Sequence, residues 1–331
     1  MKYTGKIHDG SLLTLRDLDA ADIHQLLDSA SSLKKRKRSG KTGRSLQGKS
    51  VALIFEKMST RTRCATAVAC ADECGHTEYL GAGEIHLGEK ESVIDTARVL
   101  GRFFDGVMFR GYRQETVRRL AQYSGVPVWN GLTDEWHPTQ ALADLLTVRE
   151  EFGGLDGVKI VYIGDGRNNV ANSLTVACAK CGLELVNCCP EELQPSESFR
   201  LEMEKLADSS GGVFSVIHDP AMAVDGANVI YTDVWVSMGE EAKKKERMKL
   251  LEPYAVNMDL IGKTGNADEG NVIFLHCLPA FHNSETAVSK DTGAMEVSDE
   301  VFESSFSRVF DQAENRLHTI KAIIVSAIGV L

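Results

Sequence analysis

The chain has 331 residues, of which 43% are hydrophobic and 25% charged; this composition is typical of a globular protein and leaves enough chain for two domains. Its 37 Lys and Arg residues against 47 Asp and Glu residues give a net charge of -10, the wrong sign for a surface that neutralises nucleic-acid phosphates. The longest apolar stretch, around 320–331, contains Lys321 and falls short of the roughly 18 residues that a membrane-spanning helix needs. We therefore expect a soluble protein that binds neither nucleic acid nor membrane.

Short β-branched segments alternate with longer helical segments along the chain. This pattern is typical of parallel sheets covered by helices on both faces. We predict strands at 51–56, 77–80, 106–110, 126–129, 159–164, 183–188, 213–218, 228–232 and 272–276. The fold class is therefore α/β, with two doubly wound domains, each a parallel sheet flanked by helices, joined by long helices at 137–154 and 311–331. The first domain is predicted to cover 1–150 and to be completed by 311–331, and the second to cover 151–310.

The cysteines and the amino terminus point to the cytoplasm. The segment MKYTGKIHDG lacks the apolar stretch of a signal peptide. The eight cysteines do not form the paired CxxC elements of a zinc site, so we expect reduced, mostly buried thiols and no metal. Cys178 and Cys181 do form one CxxC, but inside a helical segment, where packing explains the spacing. The basic run 34–38 is interpreted as a solvated helix end.

One local motif is misleading. Residues 43–50, GRSLQGKS, fit the phosphate-binding pattern G-x-x-x-x-G-K-[ST], which needs a strand before it and a helix after it. Here a helical stretch precedes the glycines and a predicted strand follows them. We therefore do not expect this segment to bind a nucleotide.

A better anion site follows the first predicted strand. Ser59 and Thr60 are N-cap residue types that open a helix carrying Arg61 and Arg63 in its first turn. Cations at the positive end of a helix are unfavourable unless an anion binds there, and guanidinium groups match the geometry of phosphate oxygens. The segment thus predicts a site for a phosphate dianion.

Further polar groups are predicted at the same edge of the sheet. Arg110 ends the third strand, and the carboxyl ends of parallel strands share one edge. His137 and Gln140 open the next long helix, with Pro138 in its first turn. A histidine at this end of a helix is favoured in its neutral form, in which it can donate a hydrogen bond.

Five segments together resemble the ornithine carbamoyltransferases. They are STRTR at 59–63, FRGY at 109–112, HPTQ at 137–140, DVWVSMG at 233–239 and HCLPAFH at 276–282. The first and third also resemble aspartate carbamoyltransferases, whereas the SMG and HCLP segments point to ornithine. The resemblance implies transfer of the carbamoyl group of carbamoyl phosphate to L-ornithine, giving citrulline and phosphate, with no metal or organic cofactor. The direction in arginine metabolism stays open.

The resemblance also implies roles for individual residues. Carbamoyl phosphate would be bound by Ser59, Thr60, Arg61, Thr62, His86, Arg110, His137, Gln140, Cys277, Leu278 and Arg316. Ornithine would be bound by Asn169, Asp233, Ser237 and Met238. The catalytic residues would be Arg110, His137, Cys277 and Arg316.

The segment 83–92 resembles a family loop that reaches into a neighbouring subunit, which implies a homotrimer, or a multiple of trimers, with active sites at subunit interfaces. The charged stretch after Gly239 resembles a lid over ornithine. The resemblance thus implies ordered binding, with carbamoyl phosphate first and domain closure after ornithine.

One departure concerns residues 64–67, CATA, where many relatives have an acidic residue that could orient Arg63. Glu89 or Glu91 could take that role.

Three other functions stay open from the residues themselves. Residues 164–169, GDGRNN, nearly match a dinucleotide-binding fingerprint but lack its third glycine, which leaves an NAD-dependent oxidoreductase as an alternative. The others are a carbamoyltransferase for another amine, such as putrescine, and a phosphate-binding regulator without enzymatic activity.

Overall fold

The computed structural model describes residues 10–85, 87–88, 90–236 and 244–330. It divides into two compact units. One is built from the chain up to Leu146 together with the chain from Glu314 onward, and the other runs from Thr147 to Ala313.

The first unit contains a four-stranded parallel sheet in the order β2-β1-β3-β4. Its strands are β1 (Ser50–Phe55), β2 (His76–Gly81), β3 (Gly106–Arg110) and β4 (Val128–Leu132). Its helices include α1 (Ala20–Arg38), α2 (Arg61–Ala71), α3 (Val93–Phe103) and α4 (Gln114–Ser124). The helix α5 (Pro138–Phe152) follows, and the boundary between the units falls within it.

The second unit contains a five-stranded parallel sheet in the order β7-β6-β5-β8-β9. Its strands are β5 (Lys159–Ile163), β6 (Glu184–Cys188), β7 (Val213–Ile217), β8 (Val229–Thr232) and β9 (Ile273–His276). Its helices include α6 (Asn169–Cys181), α7 (Glu197–Ser210), α8 (Pro220–Ala223), α9 (Lys244–Leu251), α10 (Met258–Gly262) and α11 (Asp299–Phe302). The last helix, α12 (Val309–Ile328), contains the second boundary between the units.

The predicted fold class is confirmed: both units are parallel sheets flanked by helices. Each sheet has a point where the strand order reverses, between β1 and β3 in the first unit and between β5 and β8 in the second. Ligands of open α/β sheets bind outside the carboxyl ends of the strands at such a point. The chain that follows β1, β3, β5 and β8 is therefore where a site is expected.

Several strands, including β9 at the edge of the second sheet, are buried on both faces, as is typical of parallel sheets. Every residue of β3, β8 and β9 is buried, and so is β1 after its first residue.

The cysteines of the CxxC lie in α6, where Cys178 is buried and burial raises the pKa of Cys181 to about 12. Such a thiol packs as a small apolar group rather than reacting. No helix among the described residues is long and apolar enough to cross a membrane.

The interpretation of the basic run 34–38 as a solvated helix end holds for Lys35, Lys37 and Arg38, which are exposed, and is wrong for Lys34. Lys34 is buried and donates to Asn315 Oδ1 at 2.7 Å. The other paired members are Arg36 with Glu73, Lys37 with Asp72 and Arg38 with Glu314. The carboxylates lie at the end of α2 and in α12, so only the tertiary structure could reveal them. The run thus joins α1 to two other helices of its own unit.

Gly101 lies within α3, where a glycine is normally unfavourable relative to alanine. The backbone of Ser124, the last residue of α4, occupies the space that a Cβ of residue 101 would take. Gly262, at the end of α10, has no atom within 4 Å of the corresponding position.

We expect Gly101→Ala to lower the midpoint of thermal unfolding, because overpacking against a backbone carbonyl costs about 1–3 kcal/mol, more than the roughly 1 kcal/mol that alanine gains in a helix. Gly262→Ala is the matched control and should leave the midpoint unchanged or raise it slightly. Circular dichroism during heating measures both. A midpoint for Gly101→Ala at or above that of the wild type would contradict the close packing of α3 and α4.

Candidate active site

The turn between β1 and α2 forms the predicted anion site. Ser59 Oγ accepts a hydrogen bond from the Thr62 amide at 3.2 Å, which caps the first turn of α2. Thr60 immediately precedes the helix, and its side chain makes no capping bond. The first turn contains no acidic residue and begins with the half-buried Arg61. The positive end of the helix thus lacks a carboxylate from its own first turn, an arrangement that favours a bound anion.

Within the described ranges of the chain, Arg63 forms no ion pair with an acidic residue. Its guanidinium lies over the ring of Tyr79, 3.6 Å from the ring centroid, a cation–π geometry. Glu91 accepts a hydrogen bond from Thr96 Oγ1 at 2.6 Å, and Glu89 lies outside the described residues. An aromatic residue of β2 therefore provides the contact for which the sequence suggested a carboxylate.

Three predicted residues from different helices are hydrogen-bonded to one another. Arg316 in α12 donates from Nη2 to Thr62 Oγ1 at 2.6 Å and from Nη1 to Gln140 Oε1 at 3.0 Å. All three side chains are buried. A bidentate guanidinium thus connects the first turn of α2 to the first turn of α5.

The sequence analysis missed Asp144. This fully buried residue lies one helical turn after Gln140 and accepts a hydrogen bond from Gln140 Nε2 at 2.8 Å. Because the Gln140 amide nitrogen faces Asp144, its oxygen is directed to Arg316. The i, i+4 spacing of Gln140 and Asp144 within one predicted helix was the available signal.

His137 is buried among positive charges. It directly precedes Pro138, the first residue of α5, and is 3% exposed. Burial is the main cause that holds its pKa well below the usual value, followed by the charges of Arg316, Arg110 and Arg61. The predicted neutral form is therefore favoured by these causes. A neutral imidazole among three guanidinium groups can donate a hydrogen bond to an oxygen on which negative charge develops.

The second unit brings together a different group. Asp233 follows β8 and Cys277 follows β9, two neighbouring strands. The Cys277 thiol donates to Asp233 Oδ1 at 2.9 Å, and Asn168 Nδ2 donates to Asp233 Oδ2 at 3.2 Å. Both carboxylate oxygens of Asp233 are thus held by neighbours. Asn168, which also donates to the Tyr162 hydroxyl at 2.6 Å, is a second residue that the sequence analysis missed.

Asn168 is the N-cap of α6, and the predicted Asn169 is the first residue of that helix. The Asn168 side chain has two partners. Its oxygen accepts from the Ala171 amide at 2.7 Å, which caps α6, and its nitrogen donates to Asp233. The adjacent asparagines could not be distinguished without the helix boundary.

Burial is the first cause that raises the pKa of Asp233, and the nearby Glu296 adds to it. His276, the Cys277 thiol and the Val234 amide act in the opposite direction. The net direction is upward, so Asp233 accepts a proton more readily than an exposed aspartate would.

Asp233, His276 and Cys277 have ligand-type atoms within 4.8 Å of one another and are the group in the described part of the chain that could hold a metal ion. Each of them already takes part in a hydrogen bond with a protein neighbour. The arrangement is therefore that of a hydrogen-bonded network.

The predicted site residues divide between the two units. The first unit contains Ser59, Thr60, Arg61, Thr62, Arg110, His137, Gln140 and Arg316, and the second contains Asn169, Asp233, Cys277 and Leu278. His86, Ser237 and Met238 lie outside the described residues.

The misleading phosphate motif at 43–50 has a structural role. The Gly43 and Leu46 amides donate to the Asp72 and Glu73 carbonyls at 2.9 Å each, so this loop packs on the end of α2. The strand β1 follows it directly, as expected.

Comparisons with known proteins agree with this arrangement. Residues 11–150 match the sequence profile of the aspartate/ornithine carbamoyltransferase carbamoyl-P binding domain, and residues 156–327 match that of the Asp/Orn binding domain of the same family. A relative named "Ornithine carbamoyltransferase, catabolic" from Bacillus licheniformis is 55% identical, and the comparison covers 100% of both chains. One of the same name from Streptococcus ratti is 54% identical over 97% of this chain and 96% of the relative.

The fold comparison gives the same family. The solved structure of ornithine carbamoyltransferase from Pyrococcus furiosus has a TM-score of 0.88 and 45% identity, covering 96% of each chain. Since both profiles and full-length relatives agree, this chain belongs to the aspartate/ornithine carbamoyltransferase family.

Proposed function

We propose that this chain is a transferase of arginine metabolism that moves the carbamoyl group of carbamoyl phosphate to the side-chain amine of L-ornithine, giving L-citrulline and phosphate. The observation that carries this proposal is the buried hydrogen-bonded set in which Arg316 donates to Thr62 and Gln140, beside His137. Relatives named for this activity over their full length support ornithine as the second substrate.

The first unit binds carbamoyl phosphate in this proposal. The phosphate lies at the first turn of α2, held by Ser59, Thr60, Arg61 and Thr62, and the carbamoyl group lies against Arg110, His137, Gln140 and Arg316. Attack on the carbamoyl carbon places negative charge on its oxygen. In this proposal, buried donors near that oxygen stabilise the transition state more than the ground state, and one such donor is typically worth about 100- to 1000-fold in rate.

The second unit binds ornithine. Asp233 attracts the α-ammonium group, with Asn169 and, outside the described residues, Ser237 and Met238 as further partners, while His86 completes the carbamoyl phosphate site. An alkyl ammonium has a pKa near 10.4 and must lose a proton before it can attack. Cys277 and the Leu278 carbonyl lie beside that amine in this proposal. The hydrogen bond from Cys277 to Asp233, whose pKa is raised by burial, provides a route for the proton.

We further infer that the enzyme is a cytoplasmic homotrimer, or a multiple of trimers, with active sites at subunit interfaces. The first unit exposes large apolar side chains, among them Met58 at 83% and Phe103 at 70%. Met58 directly precedes the phosphate turn, so a neighbouring subunit that covers it would also border the site. Eight cysteines that remain thiols suit a reducing compartment.

The activity is tested by offering ornithine, putrescine, lysine and aspartate in parallel with carbamoyl phosphate. We expect a carbamoylated product only with ornithine. In this proposal the second unit recognises its α-ammonium group, its carboxylate and the length of its side chain. Product formation and phosphate release should agree in amount. A faster reaction with putrescine would contradict recognition of the head group, and no product from any amine would contradict the activity.

The division of labour between the units is tested by Arg61→Ala and Asp233→Ala. Arg61→Ala should abolish measurable turnover by weakening the binding of carbamoyl phosphate, since it removes a partner of the phosphate group. Asp233→Ala should sharply raise the ornithine concentration needed and hardly change carbamoyl phosphate binding. Calorimetric titration with each substrate measures both effects, and Arg119→Ala, an exposed arginine of α4, is the control. If either substitution weakened the binding of both substrates equally, the assignment of one substrate to each unit would be contradicted.

His137 gives a pH-dependent prediction. Its pKa in the folded chain lies below that in the unfolded chain, so below about pH 6.5 the unfolded chain takes up a proton that the folded chain does not. Stability should therefore fall as the pH decreases below that value. In His137→Asn this contribution is absent, so the urea midpoint should decrease less between about pH 7.5 and 5.5 than in the wild type. Parallel decreases in the two proteins would contradict a buried, neutral His137.

A further inference from the structure

Two titratable residues next to the proposed ornithine site have no role in the mechanism above. His276, the last residue of β9, and Glu296 have fully buried side chains, and His276 Nε2 lies 3.3 Å from Glu296 Oε1. Among the described residues, Glu296 Oε2 has no hydrogen-bond partner. Burying a carboxylate in this way is costly unless it is compensated, so the pair calls for an explanation beyond packing.

The pair holds both ends of one turn, residues 277–281. The Leu278 amide donates to His276 Nδ1 at 2.9 Å, and the Phe281 amide donates to Glu296 Oε1 at 2.6 Å. Both are bonds from the backbone of the turn to side chains outside it. The position of the turn therefore depends directly on these two side chains.

The turn needs such support because its backbone is unfavourable. Leu278 has φ +58, in the left-handed region that residues other than glycine rarely adopt. A bulky side chain in that region is unfavourable and persists only where the surroundings hold it. The hydrogen bond to His276 is therefore made by the residue whose backbone conformation is unfavourable.

The hydrogen bond also determines the tautomer of His276. An Nδ1 atom that accepts a hydrogen bond carries no proton, so the ring proton lies on Nε2. That nitrogen lies 3.3 Å from Glu296 Oε1 without forming a hydrogen bond among the described residues, so the nearby carboxylate favours this tautomer over the other electrostatically. Glu296 thus acts on Leu278 through His276 as well as on Phe281 directly.

The anchoring continues into the strand. The His276 amide donates to Gln312 Oε1 at 3.0 Å, and Gln312 Nε2 donates to the Tyr231 hydroxyl at 3.1 Å. At the other side, Cys277 bonds to Asp233 at 2.9 Å. The pair therefore lies directly behind the two groups proposed to receive the ornithine amine, the Cys277 thiol and the Leu278 carbonyl.

We propose that His276 and Glu296 are positioning residues that hold the turn 277–281, so that Cys277 and Leu278 meet the amine of the second substrate. They touch neither substrate. The inference rests on the proposed function, because it names what maintains the ornithine half of that site.

The test compares two amides at position 276. An asparagine places its amide oxygen close to the position of Nδ1 and can still accept from Leu278, whereas a glutamine reaches the position of Nε2 and cannot. We expect His276→Asn to keep kcat within a few fold of the wild type. His276→Gln should lower kcat about 10- to 100-fold and raise the KM for ornithine, with the KM for carbamoyl phosphate unchanged.

A matched control is His218→Gln. His218 belongs to the same unit, and its Nδ1 also bonds to a backbone group, the Cys189 carbonyl at 2.7 Å. Its substitution should not change kcat or either KM. Equal kcat values for His276→Asn and His276→Gln would overturn the proposal, and so would a loss confined to the KM for carbamoyl phosphate.

Glu296→Gln keeps the test decisive if His276→Gln does not fold. It is nearly isosteric and retains an acceptor for Phe281, but it removes the negative charge that favours the Nε2 tautomer. We expect a smaller decrease of kcat, several fold, again with an unchanged KM for carbamoyl phosphate. A wild-type kcat in this variant would overturn the role of Glu296. Wild-type protein that makes no citrulline would instead contradict the proposed function itself.

Discussion

The arrangement of positive charge in the first unit is the constraint on which the rest depends. Arg61, Arg110 and Arg316 act together on His137, in a region where water is largely excluded. Like charges in such surroundings repel strongly, and the fully buried Asp144 is a counter-charge within the same hydrogen-bonded set. A dianionic ligand would offset the repulsion further. In the function we propose, binding of carbamoyl phosphate and stabilisation of the charged transition state would thus have the same electrostatic origin.

The second unit has the opposite electrostatic character around its site. Asp233 and Glu296 are buried carboxylates, held by hydrogen bonds from Cys277 and Asn168 to the former and from Phe281 to the latter. Negative charge in low dielectric attracts an ammonium group and raises the readiness to accept a proton. The two substrates differ in the same sense, since one brings a dianion and the other carries two amino groups. Each unit therefore matches the charge of the substrate we assign to it.

Sheet topology explains why these residues come from distant parts of the sequence. The anion turn and Arg110 follow or end β1 and β3, the strands on either side of the reversal in the first sheet, while Asn168 and Asp233 follow β5 and β8 in the second. Arg316 then comes from α12, whose carboxyl-terminal part belongs to the first unit. The basic run on α1 pairs with Glu73, just after the end of α2, and with Glu314 in α12, and both helices also carry site residues. The site is thus built on a framework of ion pairs as well as on apolar packing.

Local patterns were enough for the strands and the fold class, and they also selected most of the candidate site residues, because hydrophobic periodicity, helix-opening residues and short segments such as STRTR depend on neighbours in sequence. They were not enough for side-chain partners. Asp144, Asn168, Tyr79 and the pair of His276 with Glu296 are defined by contacts across helices, strands or loops, and their sequence context is ordinary. The buried Lys34 was misjudged for the same reason, since a charged residue is the same in sequence whether water or protein surrounds it. Amino-acid order determined which groups were available to bind charge, and only the tertiary structure decided which were paired, because desolvation depends on what packs around them.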